Sequence, residues 1–316
     1  EEFCRDAREP STGKASPFNH FITPSPDQLL RVSVMLGFKR ARLQTVYSIL
    51  RGKDLESEEF NVQRRESQFE ALKKAQALTL NLNYWHDFMS CLRSAGFRSS
   101  RMITSNNALV FSYLLYLLAR CEYNVERHEV RPLIAQWFFM SSLTGRYTTS
   151  APESRMEFDL AQLRNVNTAE AFISLLHSVC ESSLPDDFWT VTLPNHLASS
   201  SARTPGLSAF NASLILQQAT ALYSNIPLSD LLDPSINTPR HAVERHHLFP
   251  RAYLERNGVS GVRSTNQIAN YAYIEWEDNS DISDKSPQEY VPSIEERFEP
   301  AVLNRMYKQH GLPNDW

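Results

Sequence analysis

The chain has 316 residues, 42% of them hydrophobic, and a formal net charge of −4, which is enough for one large or two ordinary domains with cores of their own. No run of eighteen apolar residues occurs, and the most apolar stretch, residues 108–119, is too short to cross a bilayer. The four cysteines, Cys4, Cys91, Cys121 and Cys180, lie far apart without a CxxC pair, which argues against a zinc cage or disulfide framework and fits a reducing cytoplasm.

Residues 1–24 are rich in Pro, Ser and Thr and read as a linker. The chain starts Glu-Glu-Phe without Met, so it reads as a piece of a longer or trimmed protein, and no signal peptide is visible. A helix is predicted from Ser25 onward. Ser25 can cap it, Pro26 suits the first helical position, and Asp27 favours the positive end of the dipole. Leu29, Val32 and Leu36 then follow at helical spacing. Further helical patterns cover about 41–50, 66–92, 105–120 and 130–143, and 169–180 after Asn167 as cap with Glu170 three residues on. Trp137 and Phe138 are expected in the core. Residues 25–200 therefore read as a helical region of six or so helices, ending in a polar, Pro-containing boundary at 193–206.

A helix is expected over 208–223. After Pro239 the texture changes. Residues 241–246 read as a short strand, and 270–274, with their aromatic and β-branched content, as a second. Between them lies a loop containing Asn257-Gly258 and Gly261. A helical pattern resumes at Pro287 and runs towards Tyr307. The expected fold is thus mainly α, with a strand–loop–strand–helix tail inside a second domain at 201–316.

Charge is uneven. Residues 31–101 hold 13 Lys and Arg against 7 Asp and Glu, whereas residues 201–316 hold 10 against 14. A basic segment feeding an acidic domain is compatible with steering of DNA. Arg93, Arg98 and Arg101 lie near Gly96, and Arg146 lies beside Gly145. All four are candidate phosphate contacts, with helix-end charge stabilisation as the alternative. The chain has neither a GxxxxGK[ST] phosphate loop nor a GxSxG nucleophile motif.

The chemistry concentrates in His246-His247-Leu248-Phe249-Pro250, followed by Asn270 and Asn279. Hydrolysis of a phosphodiester needs an activated water, neutralised phosphate charge and help for the leaving oxygen. A divalent ion and an imidazole with a near-neutral pKa supply these. Adjacent histidines on a strand point to opposite faces, so one can hold an ion while the other approaches water, provided the strand bends or ends there. Pro250 supports such an ending. The carbonyl oxygen of an Asn is an acceptable ligand for Mg²⁺ or Mn²⁺. Asp278 and Asp281 compete with Asn279 as a ligand. Glu244 could orient a ligand histidine or pair with a neighbouring Arg. Arg251 and Lys285 could touch a phosphate, and His241 reads as a supporting residue.

These residues resemble the HNH, or ββα-metal, nucleases. The resemblance implies His246 as metal ligand, His247 as general base, Asn270 as the residue that pins the loop between the strands, and Asn279 as the last ligand. It extends further. Residues 244–254, 279–284 and 285–290 look like the nuclease half of GmrSD-type modification-dependent restriction enzymes and the related SspE effectors. Ser25-Pro26-Asp27-Gln28, Gly96-Phe97, Met102-Ile103, Asn107-Ala108-Leu109 and Leu143-Thr144-Gly145-Arg146-Tyr147 are similar to the connecting region of that family. The resemblance implies a Mg²⁺- or Mn²⁺-dependent DNA endonuclease that restricts phage or other foreign DNA. It also implies a ParB-like nucleotide-hydrolase domain upstream, whose Asp-Gly-Gln-Gln-Arg motif this chain lacks. A rival expectation is a DNA-binding or regulatory scaffold that keeps the HNH frame without activity.

Overall fold

The computed structural model describes residues 1–8, 21–53, 57, 59–200, 204–236, 243–275, 278, 282–314 and 316, without the side chains of 7, 8, 243 and 244. The described chain is mainly α, with a single two-stranded ribbon. None of its helices is long and apolar enough to cross a membrane. It divides into two units, Glu1–Ala95 with Ser105–Ser183, and Gly96–Thr104 with Leu184–Trp316.

The first unit holds nine helices among the described residues: α1 (Glu2–Arg8), α2 (Pro26–Phe38), α3 (Gln44–Leu50), α4 (Val62–Thr79), α5 (Leu82–Ser94), α6 (Asn106–Cys121), α7 (Arg127–Thr144), α8 (Pro152–Gln162) and α9 (Ala169–Ser182). Helix α6 is its centre. Every residue from Ala108 to Ala119 is buried, so the most apolar stretch of the sequence is a helix enclosed by others, packed against α2, α5 and α7. Trp85 stacks on Tyr113 with ring centroids 3.7 Å apart, and both donate to the carbonyl of Thr79, at 2.8 and 3.1 Å. Trp137 and Phe138 are buried as expected.

Ser25 starts α2 with a reciprocal capping box, its Oγ accepting from the Gln28 N–H and the Gln28 side chain accepting from the Ser25 N–H. Three expectations need correction. The helix predicted over 66–92 breaks into α4 and α5 where Asn81 caps α5 by accepting from Asn83 N–H. Helix α9 is capped by Thr168, whose hydroxyl accepts from Ala171 N–H, rather than by Asn167. The stretch expected to be a linker contains α1 and the buried side chains of Cys4, Phe21 and Ile22.

The second unit contains a π-turn (Phe188–Thr192), α10 (Leu193–Leu197), α11 (Pro205–Leu216), α12 (Leu228–Leu231), β1 (Val243–His247), α13 (Arg251–Arg256), α14 (Val262–Thr265), β2 (Tyr271–Glu275), α15 (Pro287–Glu295) and α16 (Pro300–His310). Helix α11 ends earlier than the predicted 208–223. The expected loop between the strands carries two short helices, and the predicted C-terminal helix is two. The segment Gly96–Thr104 reaches this unit through a close approach to α11. Gly96 sits at φ +86°, and a Cβ there would lie 2.3 Å from the Ala212 carbonyl oxygen, so only glycine fits.

Strands β1 and β2 are antiparallel, pairing Arg245 with Tyr273, His246 with Ala272 and His247 with Tyr271. The inner face of the ribbon joins a core of Leu222, Tyr223, Leu248, Ala272, Ile274, Tyr290, Val291, Ile294, Met306 and Tyr307. Tyr290 of α15 donates to the Leu248 carbonyl at 2.6 Å, which ties that helix to the end of β1.

Candidate active site

The end of β1 is built by side-chain amides. Asn270 closes the gap between the strands: its Oδ1 accepts from Phe249 N–H at 2.8 Å, and its Nδ2 donates to the Phe249 carbonyl and to the Thr265 carbonyl, both at 3.0 Å. Its own carbonyl accepts from Leu248 N–H at 2.8 Å. One carboxamide therefore fastens the turn after β1 to the end of α14. The resemblance to HNH nucleases implies a loop-pinning residue at this position.

His247 is the last residue of β1 and is half-buried. Its Nε2 lies 3.1 Å from Oδ1 of Asn266. An amide oxygen only accepts, so the proton sits on Nε2 and the lone pair on Nδ1. The ring packs on Tyr271 with centroids 4.3 Å apart, and the guanidinium of Arg245 lies 4.1 Å from the centre of the same Tyr271 ring. Burial pushes the His247 imidazole below its ordinary value. The Asn266 bond opposes this, while the positive charges of Arg245 and Arg251 add to it. The burial and the neighbouring charges thus favour the neutral imidazole, the form that can accept a proton.

His246 points the other way. It is buried, its ring set edge-on to Tyr290 with centroids 6.5 Å apart. The ladder continues through His247 without a bulge, so strand alternation sends the two imidazoles to opposite faces of the ribbon. Asn279 lies outside the described residues, as do His241 and Asp281, and so does the side chain of Glu244. Asp278, the competing ligand, is buried and paired with Arg297 at 2.8 Å. Among the described residues no three His, Cys, Asp or Glu side chains converge on a point where an ion could sit. The described part of the expected donor set is therefore His246 alone, and it does not complete a divalent-ion site.

The expected phosphate contacts differ in exposure. Arg251 is exposed at the start of α13 and pairs with Glu255 at 2.8 Å. Lys285 is exposed before α15. Arg93 is exposed in the first unit, and Arg98, half-buried, and Arg101, exposed, belong to the second. Arg146 is a correction. It is buried, forked onto Asp159 at 2.7 and 2.8 Å, bonded to Ser183 at 3.0 Å and set over the Trp137 ring. Tyr147 donates to the same Asp159 at 2.7 Å. Its charge is consumed by the core of the first unit, and phosphate cannot reach it.

Sequence reasoning passed over Asn266, Arg245 and Tyr271. Strand periodicity places Arg245 on the His247 face, and antiparallel register places Tyr271 opposite His247. Nothing in the sequence singles out Asn266, because its role depends on how the loop folds back. No protein-family model, curated protein or solved structure matches the chain.

Proposed function

We propose that the second unit carries an HNH-type nuclease site that hydrolyses DNA phosphodiesters, as the nuclease part of a GmrSD/SspE-like system restricting foreign DNA. The observation that carries this reading is the Asn270 clamp, which fixes the turn after the His246-His247 strand and so holds His247 at the ribbon's end. In this reading His247 accepts a proton from water, and the resulting hydroxide attacks phosphorus. The bond from phosphorus to the 3′ oxygen breaks, the leaving oxygen takes a proton from solvent, and the products are a 5′-phosphate and a 3′-hydroxyl. Arg245 and Arg251 lie near enough to His247 to depress its basicity, and the same positive field favours an incoming phosphate. A Mg²⁺ or Mn²⁺ ion with His246 and Asn279 as ligands belongs to the family reading and would supply charge neutralisation at the phosphate. The nucleotide-hydrolysing, modification-sensing partner domain belongs to the same reading.

The test is nicking of supercoiled plasmid by the full chain with Mg²⁺ or Mn²⁺. The wild type should nick and His247→Ala should not. Equal cutting by both removes His247 as base. One observation favours a second reading, a DNA-binding scaffold without activity: the ladder turns His246 into the core, away from His247. That reading gains if gel shifts show DNA binding while neither ion supports cutting by the wild type.

A further inference from the structure

The loop between β1 and β2 brings a second carboxamide to the imidazole. Asn266 follows α14 directly, its N–H bonded to the Val262 carbonyl at 3.0 Å. Two anchors hold that helix end in place. The buried hydroxyl of Thr265 lies 3.2 Å from both the Gly261 carbonyl and Asn266 Oδ1, and the Thr265 carbonyl accepts from Asn270. The hydroxyl has one proton to give, and donating it to Oδ1 of Asn266 keeps that oxygen towards Thr265 and His247. Asn270 at the same time grips Phe249, two residues after His247. The two asparagines therefore act in series: Asn270 sets the spacing between the end of β1 and the end of α14, and Asn266 reaches across that spacing to Nε2 of His247. Tyr271, packed on the imidazole, restricts the ring's rotation.

We propose that Asn266 is a positioning residue for the nuclease reaction: its carboxamide oxygen holds Nε2–H of His247 and so fixes Nδ1 as the atom that takes the proton from water. The proposal rests on the nuclease reading above. A group that orients a basic imidazole through its other nitrogen is worth about ten- to a hundredfold when removed. The effect falls on kcat, because the ring's aim matters in the transition state and not for DNA binding.

The experiment compares the wild type, His247→Ala, Asn266→Leu and Asn266→Asp as full chains, with plasmid DNA and Mg²⁺ or Mn²⁺. Histidine labelled with ¹⁵N reports the imidazole N–H in each. Asn266→Leu should lower kcat about ten- to a hundredfold, change KM little, and lose the hydrogen-bonded Nε2–H resonance of His247. Asn266→Asp, which keeps an acceptor oxygen at the same reach, should restore both. If the leucine variant does not fold, Asn266→Ser, too short to reach the ring, takes its place, with thermal melting as the check. Full kcat in the leucine or serine variant, with His247→Ala inactive, overturns the positioning role and leaves the nuclease reading standing. A wild type that cuts with neither ion, or a His247→Ala that cuts as well as the wild type, overturns the nuclease reading and this proposal with it.

Discussion

Single side chains here do work that their sequence positions only partly announce. Asn270 holds three backbone groups with one carboxamide. Replacing it with Ala leaves those groups to solvent or unpaired, at a cost of roughly 1–3 kcal/mol. Asn270→Ala should thus lower the urea midpoint modestly and, under the proposed nuclease function, lower nicking severely, because the turn after His247 loses its anchor. A variant with unchanged nicking would show that the clamp does not position the site. Arg146 shows the opposite relation between sequence and role. A glycine-flanked arginine in an interhelical turn suggested phosphate binding, yet its guanidinium is locked on Asp159 inside the core. Removing one partner of such a pair strands the other, so Arg146→Met should destabilise the protein by about 3–5 kcal/mol. Arg146→Met with Asp159→Leu should recover part of that loss. Unfolding curves measure both, and wild-type stability in the single variant would remove the buried pair from the account.

At the level of elements, caps and backbone geometry decide where helices stop. Asn81 interrupts one long apolar pattern and makes two helices of it, since its side chain offers the next turn an acceptor that a continuous helix would not use. The ribbon is short, five residues a strand, and depends on helix α15 through the Tyr290 bond to Leu248 and on Leu222 N–H donating to the Tyr273 carbonyl at 2.7 Å. An isolated hairpin of this size is marginal in water. Helix α11 depends on Gly96 in turn. Gly96→Ala places a methyl against the Ala212 carbonyl at positive φ, and roughly 2–4 kcal/mol of stability should be lost. Urea unfolding reads the change, and a loss below that of a typical surface substitution would show that the segment moves aside.

For the molecule as a whole, pH is the informative variable. His310 is buried, bonded through Nε2 to the Thr220 carbonyl at 2.9 Å, and burial holds its basicity below the ordinary 6.5. The unfolded chain takes up a proton as pH falls through 6.5 while the folded chain does not. Stability is therefore full above that value and declines as pH drops towards the lower, folded-state value. His247, also depressed, adds in the same direction. Urea midpoints should fall between pH 7.5 and pH 5.5, and His310→Gln should flatten part of that slope. An identical slope in the variant would assign the effect elsewhere. Under the proposed nuclease function salt is the second variable, since any pull of the basic stretch at 31–101 on DNA weakens as ions screen it.

Much was legible in the sequence. Helical spacing and the Ser25-Pro26-Asp27-Gln28 start gave α2, the apolar run at 108–119 gave the central helix, and aromatic and β-branched content gave the second strand to within one residue. A pinning role for Asn270 was implied by the HNH resemblance, and the elements themselves by local preference. These features follow from local rules: which face a residue occupies depends on the period of its own element. The tertiary structure alone decided the partners. Periodicity says that a side chain points inward or outward, but not which atom waits there. So it could not foresee Asp159 beneath Arg146, Ala212 against Gly96, or Asn266 at the imidazole of His247. Each of those meetings joins residues 13 or more positions apart in the chain, where loop folding rather than local preference sets the distance.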